Sequence, residues 1–366
     1  MRNFSNSKRI AIKIGTNTLS KGGAVDSGYI RSVAGQVAEL AKSGREVVII
    51  TSGAIGMGAG RLKKTKSVSG IQMRQACAAV GQPLLMTEYR KAFDKFALTC
   101  AQVLLTTEVL NNRKTYLNLK NAVETLLKLG VVPILNENDC VSTAEIGTAF
   151  GDNDKLSALV ASKLDADVLI LLSDIDGLYD KDPKKHDDAK LVKAVYEITS
   201  EILKSAGSKG STFATGGMKS KLEAVKIASN AGCRIVLADG RVKNVITKII
   251  AGADIGTVFM PKRKLSNRSR WLLNSASGGI ITIDDGAADA IRKKKSLLPK
   301  GIKSVIGNFS TGEVVMINNI AKAVTNFGSD DLKKIAGRHS SEIKNILGEN
   351  KKDVVATPEN IVFLDY

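Results

Sequence analysis

The chain has 366 residues, 33 of them glycine and only 6 proline, and a formal charge of +18 from 54 basic and 36 acidic side chains. That length exceeds what one core usually fills, so two domains are expected, and the positive excess favours nucleotide, carboxylate or RNA partners without bearing on fold. Scattered cysteines (Cys77, Cys100, Cys140, Cys233) exclude a disulfide or metal-spacing framework and suit buried thiols in a reducing cytoplasm, isolated histidines (His186, His339) exclude a histidine base or metal site, and the first apolar run is too short for a signal peptide or membrane span.

Residues 10–14 read as a buried strand interrupted by Lys13 and followed by the turn Gly15-Thr16-Asn17. A lysine in such a run is costly unless it meets an anion, either a carboxylate of the chain or a bound phosphate. A helix over 27–43 and a strand over 46–51 follow. Glycine crowds the next segment, 52–60, which suits close approach of a substrate to the backbone. Helical periodicity covers 72–96, then a strand 101–106, a helix 113–129 and a strand 131–135 ending in Asn136-Glu-Asn-Asp139. After Gly151-Asp-Asn-Asp-Lys155, the spacing of Leu156, Leu159, Val160 and Leu164 marks a helix stripe. Residues 167–172 and 233–238 are near-continuous apolar strands, and 242–250 is a closing helix. This alternation predicts an α/β fold with a mostly parallel sheet covered on both faces.

Between those last strands lies 210–221, with paired glycines and small hydroxyl residues before an amphipathic helix. Its free N–H groups and the first-turn lysines, Lys219 and Lys221, make an anion-binding loop. It is not a Walker A loop, because Thr215 stands where that motif requires glycine. Residues 261–270 form a basic run without periodicity and read as a linker. Beyond it, short strands near 279–283, 304–307, 313–317, 323–327 and 360–364, with helices at 286–295 and 340–347, suggest a small β-barrel.

Strand ends of a parallel sheet converge on one edge, so the polar clusters after several strands can line one crevice. Taken singly, each Asn or Asp serves equally well as a turn or cap residue. Two lysines, one from the first strand and one from the glycine loop, suit phosphoryl transfer, where charge on the moving group must be held. Asp154 is placed to sit between them and to reach Mg²⁺ through water, while Ser173 and Asp174 suit nucleotide contacts. An acceptor carboxylate, with a pKa of about 4.3, is already ionised at neutral pH and needs no general base.

In order along the chain, Lys13, the Ser52-Gly-Ala turn, Asn136-Glu-Asn-Asp139, Gly151-Asp-Asn-Asp154 and Gly216-Gly-Met218 resemble the amino-acid kinase family, in particular its glutamate-phosphorylating branch. The tail resembles a PUA domain through Trp271-Leu, Asp284-Asp-Gly-Ala, Gly307-Asn-Phe-Ser-Thr-Gly312 and the run 341–348, although Val355-Ala-Thr-Pro-Glu-Asn-Ile lacks a histidine common there. The resemblance implies a three-layer αβα sandwich with a mostly parallel central sheet over 1–260, a linker over 261–270 and a PUA-like β-barrel over 271–366. It implies ATP with Mg²⁺, phosphorylation of the L-glutamate side chain as the first step of proline biosynthesis, and a cytoplasmic location. Lys13, Lys221 and Asp154 would be catalytic, and Ser52, Asp139 and Asn153 would bind glutamate. Lys13, Ser173, Asp174, Thr215, Gly216, Gly217, Met218, Lys219, Ser220 and Lys221 would hold the nucleotide, with no protein metal ligand. Proline as feedback inhibitor, a homo-oligomer (dimer or tetramer), handover of product to glutamyl phosphate reductase and no membrane partner are further implications. The alternatives are another carboxylate or carbamate kinase of the family, or an RNA-binding protein acting through the PUA-like tail, which the aromatic content of 4% does not favour.

Overall fold

The computed structural model describes every residue except 1, 22–23, 65–67, 142–152, 184, 200–201, 203–216, 262–263, 349–352 and 365–366. The chain divides into two units, Met1–Lys264 and Leu265–Tyr366. In the first, apolar runs become β1 (Arg9–Ile14), β2 (Glu46–Ile50), β3 (Cys100–Leu105), β4 (Val132–Glu137), β5 (Val168–Ser173), β6 (Ala194–Val195), β7 (Arg234–Asp239) and β8 (Thr257–Phe259). These form one sheet in the order β3-β4-β2-β1-β5-β7-β8-β6. All pairings from β3 across to β7 are parallel, whereas β8 runs antiparallel to β7 and carries β6 parallel to itself. Periodicity does not find β6 or β8, which have two and three residues.

Helices α1 (Ser27–Lys42), α2 (Ala54–Arg61), α3 (Ile71–Asp94), α4 (Arg113–Lys128), α5 (Asn153–Lys163), α6 (Met218–Ser229) and α7 (Val245–Ile250) cover the sheet. Local chemistry starts two of them: Asp26 Oδ1 accepts from Tyr29 N at 2.9 Å ahead of α1, and Asn112 Oδ1 accepts from Lys114 N at 2.9 Å ahead of α4. Alternation along the strands separates two apolar layers. Ile10, Ile12, Ile14, Ile170 and Leu172 join residues of α1, α3 and α7. Ala11, Leu169 and Leu171 join those of α5 and α6. Side chains two apart share a face, so Lys13 lies with Ala11 on the α5–α6 side.

The glycine-rich segment 52–60 leaves β2 through a turn at Ser52 and Gly53. Most of it is α2, and its glycine content serves packing: a Cβ on Gly58 would stand 1.8 Å from Cys77 O, and one on Gly81 of α3 would stand 1.8 Å from Ala54 O. Only hydrogen at these positions lets the two helix backbones touch. Gly53, at φ 96°, supplies the left-handed turn from β2 into α2.

The second unit contains β9 (Gly279–Ile283), β10 (Ile302–Gly307), β11 (Val314–Ile317), β12 (Ala321–Val324) and β13 (Ile361–Phe363), with helices α8 (Asn267–Asn274), α9 (Asp285–Arg292), α10 (Ser329–Ile335) and α11 (Ile343–Leu347). Its sheet runs β10-β9-β11-β12-β13, parallel only between β9 and β11. Ile281, Val315, Ile317, Phe327, Leu332 and Ile343 fill its core. Helix α8 begins inside the run read as a linker, because Ser266 Oγ accepts from Ser269 N at 3.1 Å and Leu272 is buried against Val314 and Val362. Strand β12 stops before the predicted 327, since Phe327 N turns back onto Thr325 Oγ1 at 3.1 Å, and α10 occupies a stretch with no predicted element. Cys77 and Cys233 are buried and Cys100 half-buried, but Cys140, in the turn after β4, is exposed, contrary to the expectation of buried thiols. Among the described residues no helix is long and apolar enough to cross a membrane.

Candidate active site

The carboxyl edge of the sheet brings together three charged side chains from distant parts of the chain. Lys13 comes from β1, Asp154 from the first turn of α5 and Lys221 from the first turn of α6. Lys13 Nζ lies 2.5 Å from Asp154 Oδ1, and Lys221 Nζ lies 3.0 Å from Asp154 Oδ2. Exposure is 4% for Lys13, 0% for Asp154 and 6% for Lys221. Two buried ammonium groups meet on one buried carboxylate, an arrangement suited to gripping the oxygens of an anion such as a phosphate. Gly15 beside it donates its N–H to Leu172 O at 3.0 Å. A Cβ on Gly15 would press to 3.2 Å from Leu172 O, so glycine lets this turn lie close against β5 beside the ammonium.

A network of amides lies beside this triad. Asn153, preceding Asp154, points Nδ2 at Ser52 Oγ (3.1 Å), Asn136 Oδ1 (2.9 Å) and the carbonyl of Thr51. Asn136 Oδ1 also accepts from Glu137 N at 3.0 Å, and Asn136 Nδ2 donates to Gln82 Oε1 on α3 at 2.8 Å. Behind Ser52, Thr51 Oγ1 is 2.9 Å from the hydroxyl of Tyr89, whose phenol burial holds far above its ordinary value. Asp139 is half-buried beyond β4. Burial raises its carboxyl above the ordinary range, and the charge of Arg74 draws it partly back. Among the described residues no hydrogen bond joins Asp139 to the amides.

On the other flank, β5 ends at Ser173. Asp174 accepts from Asn17 Nδ2 at 2.9 Å and from Ser173 Oγ at 3.1 Å. Desolvation works to raise its carboxyl, but those bonds, its own backbone N–H and the charge of Lys221 outweigh it and hold the group below its usual range. Gly217 precedes α6 with open space where a Cβ would stand, and Ser220 Oγ donates to Gly217 O at 2.9 Å. Met218 packs against the apolar layer under the sheet, and Lys219 is exposed. Thr215 and Gly216 lie outside the described residues.

Thus Lys13, Asp154 and Lys221 form one constellation, Ser52 and Asn153 a second adjoining it through the 153–154 peptide, and Ser173 and Asp174 a third. Asn17 and Asn136 are additions to the expected set, and both stood inside polar clusters after strands. Gln82 is a further addition that carried no sequence signal, being one polar residue midway along a long helix. No group of three or more His, Cys, Asp or Glu side chains poised for a metal occurs among the described residues. The arrangement can hold a polyanion at the lysines and a smaller polar molecule at the amides.

Residues 8–239 match the model of the amino acid kinase family, and residues 279–347 match the PUA domain. The chain is 46% identical over 375 residues to the glutamate 5-kinase of Methanosarcina acetivorans, an alignment covering 99% of this chain and 97% of that relative. It is 42% identical over 366 residues to the glutamate 5-kinase of Caldanaerobacter subterraneus subsp. tengcongensis, covering 98% of each. Among solved structures, carbamate kinase from Giardia lamblia bound to AMP-PNP shares the fold, with a TM-score of 0.52 at 18% identity, over 70% of this chain and 100% of that one.

Proposed function

The chain belongs to the amino acid kinase family, and from that membership we propose that Lys13, Lys221 and Asp154 are the phosphoryl-transfer machinery of its reaction. That reaction is the ATP-dependent phosphorylation of the side-chain carboxylate of L-glutamate to L-glutamyl 5-phosphate, the first step of proline biosynthesis. The observation that carries the assignment is the buried carboxylate of Asp154 engaging two buried lysines from β1 and α6.

A carboxylate oxygen of glutamate attacks the γ-phosphorus of ATP in line. The new O–P bond forms as the bond to the β–γ bridging oxygen breaks, and ADP leaves with that electron pair. No proton moves, because the acceptor with its pKa near ~4.3 is already ionised. Lys13 and Lys221 hold the phosphate oxygens on which charge accumulates, and Asp154 keeps the two ammonium groups spaced for them. Ser52 and Asn153 orient the acceptor, Asp139 takes its ammonium group, and Ser173, Asp174 and residues 215–221 hold the nucleotide.

Use of ATP with Mg²⁺ is typical of the family, and the ion supplies charge neutralisation on the phosphates. Both Asp154 oxygens already face lysines, so Asp154 would reach it only through water, and the phosphates would be its principal ligands. Membership of the family also supports oligomeric assembly and, at a finer level, inhibition by proline near the glutamate pocket and transfer of the labile acyl phosphate to a reductase.

Hydroxylamine trapping tests the reading. Incubation with ATP, Mg²⁺ and hydroxylamine is expected to give a hydroxamate from glutamate but not from aspartate or N-acetylglutamate. A hydroxamate from another acid in the panel, with none from glutamate, would overturn the acceptor assignment.

A further inference from the structure

The amide network has a fixed direction, and its last donor lacks an acceptor among the described residues. Glu137 N is a backbone donor, so Asn136 must present Oδ1 to it, at 3.0 Å. Asn136 Nδ2 is thereby turned toward α3, where it requires an oxygen and finds Gln82 Oε1 at 2.8 Å. Reversing the Gln82 amide would set two NH₂ groups face to face, so its orientation follows from the backbone at Glu137. Gln82 Nε2 is consequently committed elsewhere. The side chain is 7% exposed, and this nitrogen is buried without a hydrogen-bond partner among the described residues. Buried amide N–H groups are seldom left in that state, and a bound acceptor is one way to satisfy them.

We propose that Gln82 orients the acceptor by donating from Nε2 to the α-carboxylate of bound glutamate, an inference that rests on the glutamate reading above. Nε2 is a donor only, so its partner must be an acceptor, and glutamate brings two carboxylates. The reacting one belongs beside the lysines, next to Asp154 and therefore next to Asn153. Gln82 stands two hydrogen bonds beyond Asn153, through Asn136, on the side away from the lysines. That position suits the carboxylate at the unreactive end of the molecule. The contact would make the pocket selective for an amino acid with a free α-carboxylate.

Two variants of the full-length chain test this with the hydroxamate assay, using glutamate and its α-amide, isoglutamine, measured as a substrate or as an inhibitor competing with glutamate. Gln82→Leu removes the donor and is expected to raise the KM for glutamate about 10- to 100-fold, the range for losing a hydrogen bond to a charged group, with the KM for ATP unchanged. Gln82→Glu keeps an oxygen for Asn136 but replaces the donor by an acceptor. Its affinity ratio is expected to move about tenfold or more toward isoglutamine, whose α-amide can donate. A purely structural role would weaken both ligands equally, and that result, or an unchanged KM for glutamate, overturns the proposal. If only Gln82→Leu fails to unfold cooperatively in urea, Gln82→Glu decides, and failure of both assigns Gln82 to the scaffold and overturns the proposal. A parent chain that makes no hydroxamate from glutamate would instead sink the glutamate reading, a separate outcome.

Discussion

Replacing Asp154 by asparagine keeps the shape of the side chain and removes the charge that both buried lysines share. At N···O separations of 2.5 and 3.0 Å, each pair has a gross attraction of about 5–7 kcal/mol at an effective dielectric of ~20. Most of that offsets the cost of taking the charges out of water, and removing one partner of a buried pair typically costs about 3–5 kcal/mol. An independent ceiling agrees: neutralising a lysine of ordinary pKa, ~10.4, at pH 7 costs about 4.6 kcal/mol, beyond which the protein would discharge one ammonium group instead. Asp154→Asn should therefore lose about 3–5 kcal/mol in urea unfolding at pH 7. Its kcat for hydroxamate formation should fall about 10²- to 10³-fold, as when one preorganised charge-stabilising donor is lost. ATP returns negative charge to the lysines, so a saturating non-hydrolysable ATP analogue should stabilise the variant more than the parent. Unfolding within about 0.5 kcal/mol of the parent, with kcat within threefold, would refute the electrostatic argument; a large stability loss with no extra rescue by the nucleotide would refute the assignment of the lysines to phosphate.

Burial lifts the Asp139 carboxyl above its ordinary value, so the folded chain holds that proton more tightly than the unfolded chain. Ionised Asp139 therefore subtracts stability, a penalty fully present above the folded value and gone below the unfolded one. Asp139→Asn should be no less stable than the parent in urea at pH 7, with any advantage vanishing as the pH falls below about 4, while the KM for glutamate rises about 10- to 100-fold; an unchanged KM removes Asp139 from the pocket. In α2, Gly58→Ala would drive a methyl into the Cys77 carbonyl and Gly56→Ala meets nothing within 4 Å. The first should destabilise by about 1–3 kcal/mol or more and the second should stabilise by up to about 1 kcal/mol, and equal urea midpoints for the two would contradict the helix contact.

Lys13 was legible because a lysine inside an apolar strand violates the burial pattern, which forces the question of its counter-charge. Asp154 was singled out from the two acidic residues of 151–155 as the group between the lysines, and its contact with both depends on where α5 starts and how that helix lies on the sheet. The long strands announce themselves through burial on both faces, whereas β8 is three residues made into a strand by antiparallel pairing with β7, a tertiary cause. Helix α2, over most of 52–60, was hidden for the same reason. Glycine weakens a helix locally, but contact with α3 outweighs that preference, and no local window contains Cys77. Helix α8 was hidden because its buried residues are Arg270 and Leu272, so hydropathy reads the stretch as polar. Gln82 lay beyond reach for another reason: composition and spacing say nothing about which way an amide turns.

The position of the lysine pair follows from strand alternation together with helix order. Lys13 shares its face with Ala11, and that face is covered by α5 and α6, so the first turns of these helices are the nearest sources of charge. On the opposite face Ile12 and Ile14 meet the apolar side of α1 and α3, where an ammonium would find no carboxylate within the described core. A slip of one residue in the pairing of Lys13 with Ile50 and Leu171 would move it to that face. The register is held against such a slip by a full set of apolar side chains on each side of β1, so the packing that stabilises the sheet also fixes which helices the lysine can address. Asp154 in the first turn of α5 is favoured there by the helix dipole even before the lysines are considered. The charge that organises both ammonium groups thus stands where the backbone already stabilises it, and Asn153, one residue earlier, is turned by the start of the same helix toward Ser52 and Asn136. One helix start therefore couples the phosphate-facing triad to the acceptor-facing amides.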